Sequence, residues 1–191
     1  MDEIDIGKES VAIEAIEGQL ALNNKNYELA LEKFSKYYRT NSNEKNALLI
    51  AELIKVEQSN NEAASFLLEH TQKHPSHNRA QSKLAHLYLS LSPSKSIPIY
   101  ESLLTAQTNN TTFLNNIAWA YGELGETAKG IVYANKAYKL DETNAAIIDT
   151  YVSLLIKDNN IALAKSVILK ALESDSSNPD LIDLKEKVET L

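Results

Sequence analysis

The chain has 191 residues, 26 Asp plus Glu against 19 Lys plus Arg, a formal net charge of −7 and no cysteine. That length is one domain's worth of globular material, and without cysteine there is no disulfide framework, no thiol nucleophile and no thiolate-held zinc or iron–sulfur cluster. The acidic balance gives nucleic-acid phosphates little to hold, because such binding runs on Lys and Arg displacing counterions, so no nucleic-acid partner is expected. Leu, Ala, Glu, Lys and Ile are plentiful while Val, Phe and Trp are scarce, which favours helices over sheet. Met1 to Ser10 is acidic and polar and lacks the basic and apolar regions of a secretory signal. No run approaches the roughly 18 apolar residues of a membrane span, so no direct membrane insertion is expected. Compartment stays open.

One internal period dominates. Helix-starting Asn residues recur at Asn43, Asn78, Asn110, Asn144 and Asn178, with gaps of 35, 32, 34 and 34 residues. Midway between them lie breakers: Asn23 to Asn26, Ser59 to Asn61, Ser92 to Ser94, Gly125-Glu126 and Asn159-Asn160. Each period is therefore two short helical segments. Neither is stable alone in water at this length, so the segments must bury their apolar faces on each other as stacked hairpins.

In chain order, residues 1–9 form an N-terminal segment whose Ile4 and Ile6 either cap the first hairpin or mark the loss of upstream repeats. The first unit, 10–43, carries Gly18 and Ala30 where its two helices approach closely, with bulky Phe34 one turn on. In the second, 44–77, the corresponding residues are read as Ala51, Ala64 and Leu68. Here His70, His74 and His77 have ligand-like spacing. Yet Pro75 breaks the helix after His74 and only Glu69 stands nearby. They are read as a solvated helix end, where His favours the C-terminal dipole, and no metal site is expected. The third unit, 78–109, has Ala85, Ser96 and Tyr100, with Pro98 expected in the first turn of its helix.

In the fourth unit, 110–143, Leu114, Ile117, Ala118 and Tyr121 make one helical stripe, and Ile131, Ala134, Ala137 and Tyr138 the next. Its small residues are Ala118 and Gly130, and Gly130 inside a helix costs about 1 kcal/mol relative to Ala, so it needs a packing reason. Overlapping sequons at Asn109 and Asn110 are read as junction caps. The fifth unit, 144–177, repeats both stripes with Ile148, Tyr151, Val152 and Leu155, then Ala164, Val167, Ile168 and Ala171. Residues 178–191 read as a capping helix, with Asn178 as N-cap, Pro179 in the first turn and Leu181, Leu184, Val188 and Leu191 on one stripe.

No Gly-rich phosphate loop, GxSxG or HExxH occurs, and the carboxylates are spread over helix surfaces at spacings that suit solvation. Neither an enzyme nor a cofactor is expected.

The 34-residue two-helix period resembles the tetratricopeptide repeat. Leu114 to Tyr121 (LNNIAWAY), Gly125, Ala137 and Leu140-Asp141 carry the likeness best, followed by Tyr151, Ala164 and Ala171, and it extends over roughly Ser10 to Leu191. It implies an all-α chain, a right-handed α-α superhelical solenoid of about five repeats plus a C-terminal capping helix. It also implies a protein or peptide ligand held in a concave groove lined by the first helix of each pair. On that face stand Arg79, Lys83 and His86 from the third repeat, Asn115, Asn116 and Trp119 from the fourth, and Asp149, Ser153 and Lys157 from the fifth. Trp119 is the single Trp and the natural anchor, and Asn115 and Asn116 can each donate to and accept from a peptide backbone. The bland alternative has Trp119 packed between first helices and the Asn pair facing water.

The carboxylate clamp of chaperone-tail binders is not there. Asn116 matches one clamp Asn, but Ser82, His86, Ala146 and Thr150 stand where the other clamp residues belong. LNNIAWAY and Asp149-Thr150 look similar to the tetratricopeptide lipoproteins of bacterial exosortase and exopolysaccharide export systems. That resemblance implies a lipoprotein fragment working in the periplasm; otherwise a cytoplasmic setting is expected. The runner-up reading is a structural module that self-associates, as a homodimer, through an unfilled end. An RNA-binding helical repeat would need a basic stripe that the charge opposes.

Overall fold

The computed structural model describes residues 3–190, with side chains from residue 12 onward. Eleven α-helices and no strand occur among the described residues. They fall into two compact units, Met1–Leu87 and Tyr88–Leu191.

The first unit contains α1 (Glu3–Asn23), α2 (Tyr27–Tyr38), α3 (Glu44–Glu57), α4 (Asn60–Lys73) and most of α5 (Asn78–Leu91). From α1 to α4 each helix packs on the next. Side chains set the starts: Asn26 accepts from the Leu29 N–H, Asn43 from Asn46, and Ser59 from Asn61 and Glu62, each satisfying orphan donors of a first turn. Lys25 turns the chain between α1 and α2 at φ 58°. Gly18 explains the α1–α2 approach, since a Cβ there would meet the Phe34 ring at 3.0 Å. The side chains of Ile4 and Ile6 lie outside the described residues.

Two sequence expectations, in α4 and α6, are corrected. Asn78 is the first residue of α5, as its place in the Asn series predicts. The capping oxygen comes from α3, where Glu44 Oε1 accepts from the Arg79 N–H at 2.7 Å and the Ala80 N–H at 3.1 Å. A carboxylate there also suits the positive end of the helix dipole. In α4 the bulky core residue is Leu67, fully buried, whereas Leu68 is 39% exposed. Ala63 and Ala64 are both buried, so small-residue spacing alone leaves the phase of α4 open by one residue, which is about 100° of rotation. Pro98 sits a full turn inside α6, because that helix begins at Pro93. It is tolerated because Pro98 and Ser94, whose carbonyl it leaves without an N–H, are both exposed.

The second unit holds the end of α5, then α6 (Pro93–Leu104), α7 (Thr111–Glu123), α8 (Thr127–Leu140), α9 (Ala145–Lys157), α10 (Ile161–Ser174) and α11 (Pro179–Glu189). Asn110, Asn144, Asn160 and Asn178 cap α7, α9, α10 and α11 through their side chains. Gly125 (φ 74°) and Asn159 (φ 60°) turn one helix into the next in the left-handed region, where a residue without Cβ is strain-free. Sequential helices from α6 to α11 pack pairwise, and the alternate helices α7, α9 and α11 also touch. One core runs through them, with Leu114, Ala118, Ile148, Val152, Leu155 and Ile168 almost wholly buried. Leu181, Leu184 and Val188 of α11 close it; Leu191 lies outside the described residues. Gly130 has its packing reason: a Cβ there would stand 2.9 Å from the Ala118 carbonyl oxygen and 3.1 Å from a Leu154 methyl.

Candidate functional site

The contacts among α7, α9 and α11 follow from the period, because every second helix repeats the same apolar stripe and so presents the same opposite face. On α7 that face carries Asn115, Asn116 and Trp119, and on α9, one period later, Asp149, Ser153 and Lys157. Trp119 is 38% exposed, so part of the indole packs and part meets solvent. The Asn pair does not simply face water. Both residues are half-buried. Asn116 Nδ2 donates to the Tyr100 hydroxyl of α6 at 2.9 Å, which commits one of its donors to the packing. Burial pushes the Tyr100 hydroxyl up to about 12 against the lowering effect of that bond, so it is a fixed neutral partner. The Asn115 Oδ1 is buried with no hydrogen-bond partner, an arrangement that costs free energy until a donor reaches it.

Across the face, Lys157 Nζ reaches the Gly122 carbonyl at 3.3 Å and Glu123 at 3.8 Å, linking α9 to α7. Ser153 is half-buried and Asp149 exposed. Asp149 borders a cavity of about 370 Å³ with an aliphatic floor of Ala145, Leu181 and Leu184. Asp180, Asp183 and Lys187 of α11 complete its rim. In the sequence these are the charged residues between the apolar positions of the last helix. Their place beside α9 follows only from α11 docking as the next first-type helix, which its Asn-Pro start, like the junction Asn residues before it, could have signalled.

In the first unit, Arg79, Lys83 and His86 stand on α5. Arg79 and His86 are exposed, while Lys83 is half-buried and ion-paired with Glu52 of α3. The expectation of a solvated histidine end on α4 is overturned for His70, which is only 2% exposed. Its Nδ1 lies 2.5 Å from the Tyr38 hydroxyl and its Nε2 lies 2.9 Å from His77 Nδ1. The His74 and His77 rings stack with centroids 4.9 Å apart. The signal for burial was available: His70 holds, on α4, the period position that Ala137 and Ala171 fill on α8 and α10, and both of those are core residues. Among the described residues no group of three or more His, Asp or Glu side chains is placed to hold a metal ion, and no helix is long and apolar enough to cross a membrane.

Comparison with known proteins agrees with this fold. Residues 111–144 match the tetratricopeptide repeat model. Among solved structures, MamA (residues 41 to the end) from Desulfovibrio magneticus RS-1 superposes with a TM-score of 0.77 at 16% identity, covering 88% of this chain and 97% of its own. MamA of AMB-1 gives 0.72 at 14% identity, with 93% and 98% coverage. A thermophilic tetratricopeptide protein of Thermus thermophilus gives 0.65 at 16% identity, with 95% and 100% coverage. No curated protein matches the sequence. At these identities the likeness establishes the fold class: all-α, of the tetratricopeptide kind.

Proposed function

We propose that this tetratricopeptide-type chain is a non-catalytic scaffold that captures a peptide or protein segment on the face formed by its first-type helices. The observation that carries the reading is Trp119, the only Trp of the chain, left 38% exposed on α7. An amphipathic ring with part of its area exposed is suited to a peptide, because it buries area at low rotamer cost. Asp149, Ser153 and Lys157 extend the polar part of the same face along α9. Arg79, Lys83 and His86 on α5 are the corresponding surface of the first unit. Asn116 donates one N–H to Tyr100, which fixes the side chain while its second N–H and its carbonyl oxygen serve a ligand. The likeness of LNNIAWAY to lipoproteins of exopolysaccharide export suggests a bacterial, periplasmic setting for the partner.

The test uses a peptide selected on the full chain from a random-sequence library, with affinity read by polarisation of a labelled copy. Trp119→Ala weakens binding by about tenfold or more, as expected for an aromatic hot spot, while helical circular dichroism stays unchanged. Binding within about twofold of wild type would remove Trp119, and with it this face, from the site.

A second reading, self-association, is favoured by one observation. On α1, Ile13, Ile16 and Leu20 are 52%, 68% and 59% exposed at spacings of three and four residues, an apolar stripe open to solvent. Light scattering over a dilution series distinguishes the readings. A dimer that persists on dilution and is abolished by Ile16→Asp supports assembly through α1, and a monomer at all concentrations rejects it.

A further inference from the structure

We propose that Tyr38, His70 and His77 form a pH-sensitive latch that fixes the start of α5, the helix bearing Arg79, Lys83 and His86, and loosens it in mild acid. The inference concerns the first unit alone and stands apart from the binding role.

Three elements meet at His70. Tyr38 comes from the last turn of α2, His70 from α4, and His77 from the residue immediately before α5. Both ring nitrogens of His70 are engaged, at 2.5 Å to Tyr38 and 2.9 Å to His77. A neutral imidazole has one donor and one acceptor nitrogen, so the chain of bonds has a single sense at any moment. Either Tyr38 donates to His70 Nδ1 and His70 Nε2–H donates to His77, or every bond reverses. Protonation of His70 removes that choice: the ring must then donate from both nitrogens and carry its charge at 2% exposure between the Tyr38 hydroxyl and two further imidazoles. His74 adds a third ring, its centroid 4.8 Å from that of His70 and 4.9 Å from that of His77.

The surrounding charges do not offset this crowding. Glu44 of α3 is attractive to a protonated His70, but its Oε1 is already committed to the Arg79 and Ala80 N–H groups. On α4, Glu69 is paired with Lys73, and Arg39 follows Tyr38 with a further positive charge. The His77 backbone is itself part of the α5 start, its carbonyl accepting from the Gln81 N–H at 3.0 Å.

Burial, reinforced by His74 and His77, pushes His70 down to about 4 from an ordinary 6.5. The folded value is the lower one, so the closed latch is at full strength above pH 6.5 and is lost as pH falls toward 4. Between about pH 7 and 5 this group alone favours opening by at most roughly twentyfold. Ordinary carboxylates are still mostly ionised at about pH 5.

Amide hydrogen exchange on the full chain, corrected for the intrinsic pH dependence of exchange, tests the latch. Amides of Arg79, Ala80 and Gln81 are expected to lose about fivefold to twentyfold of their protection between about pH 7 and 5, with α3 amides changing far less. In both His70→Gln and His77→Gln the pH dependence at those amides flattens. Protection in the wild type that is constant over this range, or a loss that persists in the variants, overturns the proposal. Should His70→Gln fail to fold, His77→Gln, at a half-buried position outside the core, decides alone.

Discussion

Ile148→Ala is expected to destabilise the second unit by about 2–5 kcal/mol, the range for truncating a fully buried Ile when the cavity cannot collapse. Ile148 is wholly buried in the core that runs from Leu114 of α7 to Val188 of α11. Its helix, α9, packs on α8 and α10 and also touches α7 and α11. The cavity would therefore have walls on several helices, none able to move in without leaving another neighbour. Urea unfolding followed by circular dichroism gives the number; a loss under about 1 kcal/mol would mean that α9 is not central to the core.

Gly130→Leu is expected to cost about 3 kcal/mol or more, the upper end of overpacking. The first atom of any side chain there would stand 2.9 Å from the Ala118 carbonyl, which belongs to the α7 backbone, and within 3.2 Å of both Leu154 methyls. A flexible side chain can turn aside; a helix backbone cannot without moving α7 from α8. Gly130→Ala separates the contributions, since it gains about 1 kcal/mol of helix propensity while keeping the 2.9 Å clash. In the same urea experiment Ala is expected to be no more stable than Gly, and Leu much less stable. A Leu variant as stable as wild type would show that α7 and α8 are not in close contact at this place.

These two sites also show how much is legible in the sequence. The eight small residues read from the spacing, from Gly18 to Gly130, are buried, because close helix approach leaves one strong requirement on size at a fixed period. Phase is less secure. In α4, Ala63 adjoins Ala64, and with two small residues in a row the period cannot say which faces the partner helix; the apolar residue that fills the core is Leu67. Read by its chemistry, His70 is a polar group near a helix end; counted from Asn43 rather than from Ala64, it holds the place of Ala137 after Asn110 and Ala171 after Asn144, which marks it as core. The Glu44 cap on α5 is out of reach of the sequence, since it joins residues 35 and 36 positions apart through a side chain with no local signature. The candidate face is legible in outline. The division of work between the two Asn residues is not, because only packing decides that Asn116 is held by Tyr100 while the Asn115 Oδ1 is left without a donor.

The most direct measurement is the emission of Trp119, which needs no label because the chain has no other Trp, recorded while a peptide selected on the full chain is titrated. Desolvation of the exposed part of the ring predicts a blue shift that saturates with the same midpoint as binding read by polarisation. Saturated binding with an unchanged Trp119 spectrum would contradict capture on this face.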